Sequence, residues 1–250
     1  MTDGSGAEQD GSLIGREDEL ERLGVFLAGP PRHGGSLVLA GEPGIGKTAL
    51  LTALTGRAEA TGTPVLRATG VQYRTQVGYG ALQQLLTSLP GTRSRAERMP
   101  ALAGVLGSEP DAAPGHDVVT EAVVALMADS SREVPALLVL DDAQWLDRPS
   151  AVVLGQVARR LPGTGTGLVC TVRPGEQGFF DHSGLPLHEL GPLGQAASDA
   201  LLRRRGSRAV RPRTLGSSRA HGTRPGRRRD RTAGLPALAH PLRGGGTVNQ

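Results

Sequence analysis

Residues 41–50 read GEPGIGKTAL, and Lys47 within them is the only lysine of the 250-residue chain. Every other basic side chain is one of 27 arginines. The stretch fits the pattern G-x-x-x-x-G-K-[ST]. It follows an apolar run, SLVLA at 36–40, which reads as a buried strand, and it opens a helical stretch over Lys47–Leu54. A strand, a glycine-rich turn and a helix in that order form the context in which such a loop cradles phosphate. Gly41, Gly44 and Gly46 let the backbone turn tightly, so that successive N–H groups face one anion, and the helix start adds partial positive charge. Lys47 brings a compact, mobile ammonium to the β- and γ-phosphates, where a planar guanidinium fits less well. Thr48 offers a hydroxyl to Mg2+. The competing reading is a glycine-rich turn with an incidental lysine. It leaves unexplained why an arginine-biased chain keeps lysine here.

A second stretch answers the first. ALLVLDDAQWLD (136–147) is an apolar run ending in two acids. Asp141 is the candidate for the Mg2+ shell, and Asp142 for a carboxylate that orients the attacking water. An aspartate is one methylene shorter than a glutamate, so slow hydrolysis, or ATP sensing without it, is expected at Asp142. Taken alone, the pair reads equally well as strand-end acids capping a turn. A third strand, GLVCTV (167–172), runs into Arg173, which either reports on the γ-phosphate or is a solvated strand-end arginine. Cys170 reads as a buried filler and Trp145 as a packing anchor.

Working outward, Leu20, Leu23 and Leu27 recur at helical spacing after LIGR (13–16). Further strands are expected at 64–68 and 136–140. Helices are expected at 79–89, 117–129, from Pro149 through Leu161, and at 196–204. Residues 90–116 read as surface loop with some helix. Short apolar strands alternating with amphipathic helices predict an α/β domain with a parallel sheet covered on both faces.

Charge divides the chain. Residues 1–202 hold 15 basic and 23 acidic side chains, net −8, whereas 203–250 hold 13 arginines and one acid, net +12. The second segment has little apolar periodicity and is expected to be a disordered basic tail. Its Arg, Gly and Pro enrichment is what GC-rich codons give when read out of frame. Residues 1–12 read as a disordered leader with no signal-peptide pattern. The single cysteine excludes an intrachain disulfide, and the longest apolar run is far short of the ~20 residues a membrane helix needs. A cytoplasmic protein is expected.

LIGREDELERL, GEPGIGKTALL, YGALQQLL, LLVLDDAQWLD and the TVR of 171–173 occur in an order that resembles the ATPase module of large LuxR-type ATP-binding transcriptional regulators. These are signal-transduction ATPases related to AAA proteins. The resemblance covers 13–202 and implies a five-stranded, mainly parallel P-loop NTPase sandwich. It implies that Ile14, Gly15 and Arg16 lie near the adenine or ribose and that Arg173 senses phosphate. The nucleotide-binding set is then Ile14, Gly15, Arg16, Gly41, Pro43, Gly44, Ile45, Gly46, Lys47, Thr48, Ala49 and Arg173. Thr48 and Asp141 serve the metal, Asp142 the chemistry, and ATP and Mg2+ are the cofactors. Family members continue into a helical lid, helical repeats and a DNA-binding helix-turn-helix. Gly234-Leu235-Pro236 resembles the lid motif, but neither the helices around it nor a helix-turn-helix is legible, so the chain reads as truncated.

Expected partners are ATP or ADP, a second copy through the ATPase domain, and DNA only through a further domain or non-specifically through the tail. The alternatives are a free-standing P-loop ATPase or small-molecule kinase, a nucleic-acid binder acting through its tail, and a product without independent activity.

Overall fold

Four apolar runs and one three-residue segment become five strands of one sheet: β1 (Gly35–Ala40), β2 (Val65–Thr69), β3 (Ala136–Asp141), β4 (Thr166–Val172) and β5 (Leu187–Glu189). The computed structural model describes residues 13–29, 33–72, 78–88, 91, 94–95, 98–107, 114–175, 180 and 184–209. The strands lie in the order β2-β3-β4-β1-β5, and every pairing is parallel. Parallel neighbours need crossover connections, which helices supply. In chain order α1 (Glu17–Ala28) precedes β1; α2 (Lys47–Ala60), α3 (Gly80–Ser88), α4 (Pro100–Leu106), α5 (His116–Glu133) and α6 (Arg148–Arg160) lie in the crossovers; and α7 (Gln195–Ala209) follows β5.

The central strands β1, β3 and β4 are buried because each alternates between two apolar layers. Val38, Leu138, Leu140, Leu168, Cys170 and Val172 pack into the layer formed with α3 to α6. Leu39, Leu137, Val139 and Val169 pack into the other, with Leu20 and Leu23 of α1 and Leu50, Leu51 and Leu54 of α2. Each fully buried leucine contributes about 1.5–3 kcal/mol, so the two layers together hold the sheet between its helices. Cys170 is buried in the larger layer, as a filler should be.

Register decides where the chemistry sits. Ala40 pairs with Val172, and Leu140 with Cys170. The carboxyl ends of β1, β4 and β3 are therefore level, and they deliver Gly41, Arg173 and the Asp141–Asp142 pair to one edge. In open parallel sheets ligands bind beyond this edge, where strand order reverses.

The expected helices are all present, most of them longer than their periodicity indicates, and α4 accounts for helix within 90–116. The leader at 1–12 and the tail beyond Ala209 lie outside the described residues. Among the described residues no helix is long and apolar enough to cross a membrane.

Candidate functional site

The loop between β1 and α2 has the conformation its glycines foretell. Gly44 and Gly46 sit at φ +79° and +108°, in the left-handed region. An added Cβ would meet nothing within 4 Å at either, so the backbone conformation, not crowding, selects glycine there. Gly46 is the N-cap of α2, and no side chain caps the helix. The first N–H groups of α2 and the positive end of its dipole thus face the loop without a protein side-chain acceptor. Pro43, Gly44, Thr48 and Ala49 are exposed around it.

Lys47 is buried, and its Nζ donates to Gly41 O at 2.6 Å and Glu42 O at 3.0 Å. Burial pulls its pKa below the ordinary 10.5, against the upward pull of Asp142, Asp141 and Glu42. An incoming anion would relieve that penalty.

Arg16 braces the loop from the side. Its Nη2 donates to Ile45 O at 2.9 Å and to Gly191 O at 2.8 Å, and its Nη1 to Glu19 Oε1 at 2.6 Å. The guanidinium expected beside the nucleoside is engaged with the protein, tying the loop to the segment after β5. Gly15 closely faces Ala197 of α7, and Ile14 is half-buried.

The acid pair meets this loop directly. Thr48 Oγ1 donates to Asp141 Oδ2 at 2.9 Å. Asp141 Oδ1 accepts from Thr171 Oγ1 at 2.6 Å and from the Asp142 N–H at 3.1 Å. Asp142 has φ +50°, a strained conformation for a residue with a side chain. Its bonds hold it there. Its N–H also donates to Thr171 Oγ1 at 2.8 Å, its carbonyl accepts from Trp145 N at 2.9 Å, and its Oδ1 accepts from Gln144 Nε2 at 3.0 Å. Arg173 Nε lies 3.5 Å from Asp142 Oδ1, and the guanidinium carbon lies 6.0 Å from the centroid of the Trp145 ring. Trp145 is half-buried, outside both apolar layers, and in reach of the site's arginine.

Gly70, just after β2, seats this turn. Its N–H donates to Asp141 O at 2.9 Å, and an added Cβ would lie 2.2 Å from Asp142 O. Backbone must move to admit a methyl group. Gly70→Ala is expected to lower unfolding free energy by about 1–3 kcal/mol in urea titrations, and to displace Asp142.

Sequence reasoning missed Asp147 at the end of the acidic stretch. Buried, it accepts from Tyr79 N at 2.9 Å, Ala81 N at 3.0 Å and Ser150 N at 2.9 Å. One carboxylate thus caps α6 and anchors the start of α3. The signal was there: an aspartate just before Arg148-Pro149 reads as an N-cap. Thr171 and Gln144, although they lie within the TVR and DDAQWLD strings, were not singled out, because their partners sit on another strand or across a turn.

Among the described residues no group of three or more His, Cys, Asp or Glu side chains could hold a metal ion. Thr48 and Asp141 instead offer two converging oxygen donors at a helix start. That set suits Mg2+, which takes few protein ligands and completes its shell with phosphate and water oxygens.

Residues 12–171 match the family described as AAA ATPase domain. The chain belongs to that family. No curated protein matches it. Among solved structures, this AAA ATPase domain chain is similar to Cdc6p from Pyrobaculum aerophilum, at 23% identity and TM-score 0.49, over 81% of this chain and 52% of that one. It is similar to AMPPCP-bound DnaA from Aquifex aeolicus, at 14% identity and TM-score 0.45, over 78% and 51% respectively. A third likeness is to a Signal Transduction ATPase with Numerous Domains from Pyrococcus horikoshii that carries a tetratricopeptide repeat sensor. That match has 19% identity and TM-score 0.41, over 77% of this chain and 25% of the other. The aligned parts make up about half the length of the first two structures.

Proposed function

We propose that this AAA ATPase domain is an ATP-binding, slowly hydrolysing nucleotide switch, and that it serves as the switch module of a LuxR-type transcriptional regulator. The observation that carries the nucleotide reading is the 2.9 Å contact between Thr48 Oγ1 and Asp141 Oδ2 at the mouth of an uncapped helix. It joins the phosphate loop to the acid pair with the donor set Mg2+ favours. The regulator reading is supported by the motif order alone.

In this reading residues 13–202 are the module, and the leader and basic tail lie outside it. Gly41, Pro43, Gly44, Ile45 and Gly46 shape the cradle. The N–H groups of Lys47, Thr48 and Ala49 and the Lys47 ammonium bind the phosphates. Thr48 and Asp141 would hold Mg2+, which when bound would neutralise phosphate charge. Asp142 accepts a hydrogen bond from the attacking water, and its short side chain keeps turnover slow. Ile14 and Gly15 border the nucleoside, while Arg16 fixes the loop. A cytoplasmic setting, self-association through this domain, and DNA contact through a further domain complete the proposal.

Arg173 gives the switch its readout. It lies near both Asp142 and Trp145, the chain's single tryptophan. A γ-phosphate competes for the same guanidinium. Tryptophan emission is therefore expected to differ between saturating Mg-ATP and saturating Mg-ADP, and Arg173→Ala is expected to erase the difference. Equal emission with both nucleotides in the wild type would count against a γ-phosphate switch.

A further inference from the structure

The two acids at the end of β3 do not stand on their own. A strand-end aspartate has several staggered rotamers available, and a metal-shell carboxylate is useful only in one of them. In this chain the choice is made from the neighbouring strand. Asp141 lies on the same sheet face as Leu137 and Val139, the face against which α2 packs, and Thr171 lies on that face with Val169. Thr171 is completely buried, and its hydroxyl both donates and accepts: it gives its proton to Asp141 Oδ1 at 2.6 Å and receives the Asp142 N–H at 2.8 Å. The Asp142 N–H is shared with the same Oδ1 at 3.1 Å. One carboxylate oxygen is thus held from two sides. The other, Oδ2, is left facing Thr48 Oγ1.

We propose that Thr171 is a positioning residue for metal binding: its hydroxyl fixes the Asp141 carboxylate so that Oδ2 faces the Mg2+ of a bound nucleotide. The inference rests on the Mg-nucleotide reading given above. The same hydroxyl supports the strained Asp142 backbone, so β4, two residues before Arg173, sets the geometry of both acids. Valine in place of Thr171 fills similar volume but removes donor and acceptor together. Oδ1 then keeps only the Asp142 N–H, and the carboxylate is free to rotate away from Thr48. Serine retains the hydroxyl and should retain the arrangement.

The test is calorimetric titration of the full chain with ATP over a series of free Mg2+ concentrations, and again in EDTA. Wild type, Thr171→Val and Thr171→Ser are compared. The Mg2+ concentration giving half of the metal-dependent gain in ATP affinity is expected to rise about 10–100-fold in Thr171→Val, the usual effect of losing a hydrogen bond behind a metal ligand. ATP affinity in EDTA is expected to stay at the wild-type value, and Thr171→Ser to titrate with the wild type. A merely structural role would lower affinity equally with and without Mg2+, and that result overturns the proposal. So does a Thr171→Val titration that overlays the wild type. If Thr171→Val fails to fold, Thr171→Cys carries the same expectation, since a thiol is a weak donor. A wild type that binds no ATP under any condition overturns the nucleotide reading itself, whereas a binding wild type with an unaffected valine variant removes only the role of Thr171.

Discussion

Asp147→Ala is expected to lower the unfolding free energy by roughly 3–5 kcal/mol, read as a shift in the urea midpoint. The carboxylate is buried and accepts from three backbone N–H groups, those of Tyr79, Ala81 and Ser150. Its loss strands three donors at the starts of two helices, and each stranded buried donor costs about 1–3 kcal/mol. Relief from burying a charge offsets part of that sum. Asp147→Asn keeps one acceptor oxygen, and it should fall between alanine and wild type. Ser150 Oγ still accepts from Leu82 N at 3.0 Å in either variant, so α3 is loosened rather than released.

Lys47→Ala has the opposite profile. ATP affinity is expected to fall about 100-fold, because charge-assisted hydrogen bonds to two phosphates disappear, each taken at about 1.5 kcal/mol since the ammonium exchanges carbonyl partners for them. Stability without nucleotide should hardly change. The Lys47 ammonium is buried against two backbone carbonyls, and burial already works against its charge. Its removal takes a donor from Gly41 O and Glu42 O but ends the cost of burying its charge, and the two effects largely cancel. A binding defect without a stability defect separates this residue from Asp147, although both lie beneath the same edge of the sheet.

The contrast also shows what the sequence makes legible. The phosphate loop and the two acids declare themselves because function fixes residue type and spacing along the chain. A lysine among arginines and an apolar run ending in DD are local signals. β5 has no such signal: Leu187–Glu189 is three residues long, with Leu187 and Glu189 exposed, so neither length nor apolar pattern marks it. Thr171 and Gln144 act across strands or across a turn, and only register brings them to the acids. Arg16 shows a further limit. The sequence places it near the loop, but only the structure shows its guanidinium binding Ile45 O and Gly191 O. The left-handed turn at Asp142 was equally hidden, because its permission comes from a glycine, Gly70, at the end of a different strand.

The most direct measurement is a calorimetric titration of the full chain with ATP in the presence of Mg2+, repeated with Lys47→Ala. Saturable binding at one site per chain is expected, lost or weakened about 100-fold in the variant, with the variant still folded by circular dichroism. Equal affinity in the two proteins, or no heat of binding in the wild type, would contradict the nucleotide reading.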